Sequence, residues 1–407
     1  MPPWNRERMR ILVLNSGSST IKYKLFDQSA DYCLLASGTA ERIGLDDSFL
    51  RYQKHNQQEE MFVQPFVDHR MAFQTIFESL RDFVSGSQKS GTDIDAIGHR
   101  IVHGGSEFLD CTLVNDDVVQ SIEKYSRFAP LHNPANAAGI ELCKGLLPGV
   151  PNVAVFDTAL HQTIPAKAFL YGLPSELYKK HGIRKYGFHG ISHGYVAEKA
   201  ANTIGRPLED LKVVTCHLGN GCSITAFNGA QSVDTSMGLT PLEGIMMATR
   251  SGDIDPSVVL YLTEDLGLSS EEVRTLLNKK SGLLGLCGQS DMRDVSELAD
   301  KGDKQAQTAV EIFVYRIQKC IGACIAALNG VDAIVFTAGI GENSPQLRAK
   351  ILENFGYMGV EIDETKNKEN AIMFSTPNSN VLAMTVPTDE ELVIARETYR
   401  IVASAKK

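Results

Sequence analysis

Residues 11–27, ILVLNSGSSTIKYKLFD, set two strand-like runs on either side of Asn15-Ser16-Gly17-Ser18-Ser19. Glycine has no Cβ, and asparagine and serine add donors, so such a turn lets backbone N–H groups come close to an anion. The pattern recurs at residues 213–227, VVTCHLGNGCSITAF, where the turn is read as 217–222. Two matched hairpins predict a duplicated α/β domain, with similar halves facing each other across a cleft. A third stretch, DAIVFTAGIGEN at 332–343, reads as a buried strand running into a Gly339-Ile340-Gly341 turn. Phosphate is the anion that this set of turns predicts. A P-loop is excluded because no G-x-x-x-x-G-K-[ST] occurs, and GIGEN lacks the third glycine of a dinucleotide fingerprint.

At 407 residues the chain is too long for one ordinary core, and its length predicts two domains of about 150–200 residues each. A net charge of -9 argues against nucleic acid or an anionic membrane as partner. No apolar run is long enough to span a bilayer. The opening MPPWNRERMR carries charge without the apolar core of a secretory signal. The eight cysteines form no C-x-x-C pair, which predicts thiols in a reducing compartment, the cytoplasm.

Helical spacing is expected over 70–86, 134–146, 193–204 and 307–330, the last capped by Asn329-Gly330. A buried strand is expected at 152–160, with the domain boundary near Asp157. Polar residues gather at strand ends: His99, Arg100 and His103; His132; Asp157 and His161; His189 and His193; Arg250, Asp253 and Asp255. Taken singly, each histidine reads as a hydrogen-bonded structural residue. Together they predict a polar site built from strand ends and loops. Only His189 and His193 have the i, i+4 spacing of a helical metal pair, and no cysteine joins them, so zinc is not expected.

In order, VLNSGSSTIKYKLFD, GHRIVHGG, APLHNP, VFDTALHQTIP, KYGFHGISH, CHLGNGCSITAF, SDMRD and FTAGIGENSPQLR resemble the acetokinase (acetate kinase) family, from about residue 10 to residue 400. The resemblance implies an α/β fold of two duplicated ribonuclease-H-like domains, of the actin-like ATPase type, around a nucleotide cleft. Residues 1–156 would form the first, with a C-terminal helix at 392–407 packing back on it. Residues 157–391 would form the second and carry most of the nucleotide site. It also implies a homodimer. The reaction implied is reversible, Mg²⁺-dependent phosphoryl transfer from ATP to acetate, giving acetyl phosphate and ADP, with Mn²⁺ as a substitute ion.

By that resemblance Arg100, Asp157, His189 and Arg250 are the catalytic set, with His189 and Arg250 stabilising the transition state. Val102, Leu131, Phe188 and Pro241 line a small acetate pocket together with Arg100. Asn15 and Glu390 hold the metal. Lys22, His217, Leu218, Gly219, Asn220, Gly221, Asp291, Met292, Arg293, Gly339, Ile340, Gly341, Glu342 and Asn343 meet the nucleotide, and His132 matches a further active-site histidine. The chemistry agrees in one respect. Acetate is already ionised at neutral pH, so the site needs positive charge and donors rather than a base. Asp157 is therefore expected to orient an arginine or the metal. Ile191, Ala248, Met292 and Asp389 depart from the family pattern, and Asp389 adds negative charge beside Glu390. Two readings compete: a kinase for a hydroxyl acceptor, with Asp157 as base, and a non-enzymatic nucleotide switch. The paired arginines fit an anionic acceptor better. A propionate kinase resembles the chain as well, and Val102 tilts the expectation towards acetate.

Overall fold

The computed structural model describes residues 9–17, 19–80, 94–130 and 132–405. Two compact units divide the chain, one made of Met1–Ala159 and Asp389–Lys407, the other of Leu160–Thr388. Asp157 and Glu390 therefore both belong to the first unit.

The first unit is built on an eight-stranded sheet of β1 (Arg10–Ser16), β2 (Thr20–Asp27), β3 (Cys33–Glu41), β4 (Phe49–Lys54), β5 (Glu60–Val63), β6 (Ala96–Ile101), β7 (Thr112–Leu113) and β8 (Asn152–Phe156). The spatial order is β5-β4-β3-β2-β1-β6-β8-β7. β1 to β3 form an antiparallel meander, and β6 and β8 run parallel to β1. The second unit carries β9 (Lys212–Leu218), β10 (Cys222–Asn228), β11 (Gln231–Thr235), β12 (Ala333–Thr337) and β13 (Leu382–Thr385), in the order β11-β10-β9-β12-β13. Here too the first three strands are antiparallel and the last two parallel to the first. The order β3-β2-β1-β6-β8 is thus repeated as β11-β10-β9-β12-β13, which is the duplication that the two hairpin motifs predict.

Alternation along β1 assigns its two faces. Leu12 and Leu14 enter a core with Phe66, Phe73 and Ile76, the last two from the helix His69–Ser79. On the sheet's other face the helix Glu390–Ala405 packs over β1, β6 and β8. It lies so close that a Cβ on Gly98 of β6 would stand 2.3 Å from Thr398 Oγ1 and 2.7 Å from Ile394 Cγ2. In the second unit, Val196, Ala197, Ala200 and Ala201 of the helix Gly190–Ile204 pack with Val213 and Val335. The long helix Lys304–Leu328 starts at Asp303, whose carboxylate takes the Ala306 N–H, and stops at Asn329 with φ 52°.

The helix expected over 70–86 runs His69–Ser79, and 81–93 lie outside the described residues. The helix expected from residue 193 begins earlier, at Gly190. The Gly339-Ile340-Gly341 turn is a correction, because those residues form the first turn of a short helix, Ala338–Asn343.

Candidate active site

Three parallel strands of the first unit end together. β1 carries Asn15, β6 carries Arg100, and Asp157 follows the last residue of β8. Arg100 donates from Nη2 to Asp157 Oδ2 at 2.7 Å and from Nε to Oδ1 at 3.3 Å. Glu390, the first residue of its helix, stands 3.7 Å from Arg100 Nε. Burial alone would lower the Arg100 pKa, but the charges of Asp157 and Glu390 outweigh it and raise it. Asp157 is buried and accepts from two Arg100 donors with its two oxygens, which fixes the plane of the guanidinium. Asn15 faces Lys22 across the hairpin. Lys24, two residues on, holds Asp389 at 3.3 Å and Glu391 at 3.2 Å, the two neighbours of Glu390.

The sequence reading missed two amides that tie this region together. Asn136 accepts from Val102 N at 3.2 Å and donates to Ser16 O at 2.7 Å. Asn133 accepts from His103 N and returns a bond to His103 O at 2.9 Å. Both lie on the helix Asn133–Leu146, which follows His132 and begins within APLHNPAN. Their signal is a pair of asparagines, three apart, on a buried helix face. Val102 is buried, while Leu131 lies outside the described residues.

In the second unit, His189 precedes the helix Gly190–Ile204 with φ 56°. Its Nδ1 lies 2.8 Å from Ser223 Oγ, and its ring stacks on His217 with centroids 4.2 Å apart. His217 is in turn 2.8 Å from Ser192 Oγ. The turn between β9 and β10 sits against this pair. A Cβ on Gly221 would stand 3.4 Å from His189 Cε1 and 3.6 Å from Arg250 Nη1. Arg250 donates to Pro241 O at 3.0 Å and touches Met247 Sδ, and it has no carboxylate partner among the described residues. Burial lowers its pKa. The two arginines thus differ: Arg100 is neutralised by acids, and Arg250 is a half-buried charge without one among the described residues.

The remaining predicted residues divide. Gly219 and Gly221 form the turn with exposed Asn220, whereas His217 and Leu218 belong to β9, with Leu218 buried. Phe188 is buried and Pro241 half-buried. Asp291 caps the helix Met292–Asp300 and pairs with exposed Arg293 at 2.6 Å, while Met292 packs inward. Gly339 and Asn343 are exposed, with Asn343 Nδ2 bonded to Gly339 O, and Ile340 is half-buried beside buried Gly341. Glu342 is committed to the backbone, since its Oε1 accepts from Ala338 N at 2.8 Å and Thr388 N at 3.2 Å. A further residue the sequence reading missed is Arg348. It is fully buried and donates to Gly341 O, Glu342 O, Asn367 and Asn370, which fixes the end of that short helix.

The sequence profile of the acetokinase family matches residues 10–396. The chain belongs to the acetokinase family. Among acetokinases similar to it, the acetate kinase of Halothermothrix orenii is 51% identical over 399 residues, which are 97% of this chain and 100% of that one. Among solved structures, a propionate kinase from Francisella tularensis superposes with a TM-score of 0.91 at 42% identity, covering 97% of this chain and 100% of that one. The acetate kinase of Porphyromonas gingivalis gives 0.89 at 41% identity with the same coverage. Among the described residues of this acetokinase, no helix is long and apolar enough to cross a membrane.

Proposed function

We propose that this acetokinase transfers the γ-phosphoryl group of ATP to acetate, reversibly, giving acetyl phosphate and ADP. The observation that carries the reading is Arg250: a half-buried guanidinium with no acid partner among the described residues, beside His189 and the Gly219–Gly221 turn. A part-buried cation without a counter-ion is stabilised when an anion arrives. Three donor groups meeting at one point suit the equatorial oxygens of a phosphoryl group in flight. Arg100, held by Asp157, would present its fork to the acetate carboxylate, and Val102, Phe188 and Pro241 would enclose the methyl group. With an ionised acceptor no side chain has to remove a proton. The adenosine would lie against 291–293 and 339–343, with Lys22 and the glycine turns on the phosphates.

Mg²⁺ fits Asn15 and Glu390. An amide oxygen and a carboxylate form a hard donor set, and Glu390 has no hydrogen-bond partner among the described residues, only an Arg100 nitrogen 3.7 Å away. When bound, the ion would neutralise charge on the phosphate oxygens. We further propose a homodimer, since the helix Pro256–Glu264 buries none of its residues and exposes Val258, Leu260 and Tyr261. The cytoplasm suits eight cysteines that are all free.

The test is Mg-ATP turnover with acetate, propionate, butyrate and glycerol, with hydroxylamine trapping any acyl phosphate. Hydroxamate from acetate, with propionate weaker, is the expected result. One methylene is worth only about 1–3 kcal/mol, so propionate should still react. A stronger signal from propionate would overturn the acetate pocket and leave the chemistry standing. ADP release only with glycerol, or independent of any acceptor, would overturn the role of Arg100.

A further inference from the structure

Behind His189 lies a file of buried polar side chains. Ser223 Oγ stands 2.8 Å from His189 Nδ1 and 2.7 Å from His193 Nε2, and these are its only side-chain partners among the described residues. His193 Nδ1 stands 2.6 Å from Thr215 Oγ1. Ser223, His193 and Thr215 are all 0 % exposed. We infer that Thr215, His193 and Ser223 are positioning residues forming a one-way hydrogen-bond relay that holds His189 as the neutral tautomer with its proton on Nε2.

The direction follows from counting protons. Thr215 Oγ1 has no acceptor other than His193 Nδ1 among the described residues. Its buried O–H must therefore donate there. Burial, reinforced by the nearby rings of His161 and His217, pushes the His193 pKa well below its ordinary value, so this ring is neutral and has one N–H. With Nδ1 accepting, the proton sits on Nε2 and is donated to Ser223 Oγ. The serine has one proton, which then goes to His189 Nδ1. A neutral His189 whose Nδ1 accepts carries its hydrogen on Nε2. A Cβ on Gly221 would lie 3.5 Å from that Nε2, so the N–H lies beside the second glycine turn and Arg250. Reversing the file would leave the buried Thr215 hydroxyl without an acceptor. It would also be the arrangement required by an imidazolium at His189, so the relay opposes protonation of that ring. Among the described residues, the groups facing His189 include the stacked His217, His193 behind Ser223, and Arg250 across Gly221.

The role in catalysis rests on the function proposed above, but the tautomer does not. The experiment is long-range ¹H–¹⁵N correlation on the full chain labelled with ¹⁵N-histidine, alongside steady-state kinetics. The wild-type protein should show His189 and His193 both as Nε2–H tautomers. Thr215→Val removes one hydroxyl at nearly constant shape and should move both rings from that tautomer, whereas Thr215→Ser should restore it. Ser223→Ala should release His189 alone and lower kcat about 10- to 100-fold, with KM for acetate little changed. An Nδ1–H His189 in the wild-type, or tautomers indifferent to Thr215→Val, would overturn the relay. Failure of acetate to support turnover in a wild-type protein with the expected tautomers would overturn the proposed reaction and leave the relay intact.

Discussion

His99 and His161 are imidazoles sealed in different units, and both should make the protein sensitive to mild acid. His99 lies 2.7 Å from Asn152 Oδ1, and His161 sits between Ser232 Oγ and Phe188 O. Burial lowers each pKa from 6.5 to about 4, against weaker opposing hydrogen bonds. The unfolded chain therefore binds more protons than the folded one between about pH 4 and 6.5. Stability is full above that window and is lost as the pH falls through it. Each ring is worth on the order of 3 kcal/mol across the window. The urea midpoint should drop steeply from pH 7 to pH 4.5, and His99→Asn should flatten the slope. A midpoint independent of pH in that range would show that the rings protonate in the folded state. Much at this scale was legible in the sequence. Asn15, Arg100 and Asp157 stand at or next to strand ends, the first two near glycines. Thr215 and Ser223 were not legible, because a hydroxyl on a buried strand is ordinary β-composition and its value lies in two imidazoles brought from another element.

Elements show where local composition misleads. Thr337-Ala338-Gly339-Ile340-Gly341 has the glycines of a turn but folds as the start of a helix. Glu342 reaches back to accept from its first N–H, that of Ala338, and Arg348 gathers the carbonyls of Gly341 and Glu342 at its end. The spacing from Thr337 to Glu342 is longer than a capping box, and Arg348 reads as a surface residue of the next helix, so neither device is visible in the sequence. Arg348→Ala would leave several buried acceptors unpaired and should cost about 3 kcal/mol or more. It should raise KM for ATP while leaving KM for acetate nearly constant; equal changes in both would place the defect outside the nucleotide side. The helix Glu390–Ala405 is the complementary case. Its contact with β6 is set by the missing Cβ of Gly98, so Gly98→Ala must push against Thr398 and Ile394. The expected cost is about 1–3 kcal/mol, with a raised Mg²⁺ requirement as Glu390 moves. An unchanged Mg²⁺ titration in a destabilised variant would separate packing from the metal role.

At the scale of the whole molecule, the first unit is discontinuous: the chain leaves it after Ala159 and returns at Asp389. The hairpin motifs announced the duplication, because each unit's own β-meander carries one. The return of the last segment is a long-range packing choice, and its sequence signal is only an amphipathic helix. That helix buries Ile394, Ala395, Thr398 and Val402 in the first unit. Burying an Ile or Val side chain is worth about 1.5–3 kcal/mol, and a whole domain keeps only about 5–15 kcal/mol in hand. Truncation after Thr388 should therefore unfold the first unit selectively. Hydrogen exchange should accelerate in β1, β6 and β8, which the helix covers, while β9, β12 and β13 keep their protection because Met384 and Val386 close their core from within the second unit. Uniform loss of protection would mean that the two units fold as a single cooperative block. Unchanged protection in β1 would mean that the helix is dispensable for the fold and is retained for Glu390 alone. The truncated chain should have lost turnover in either case, so exchange rather than activity decides between them.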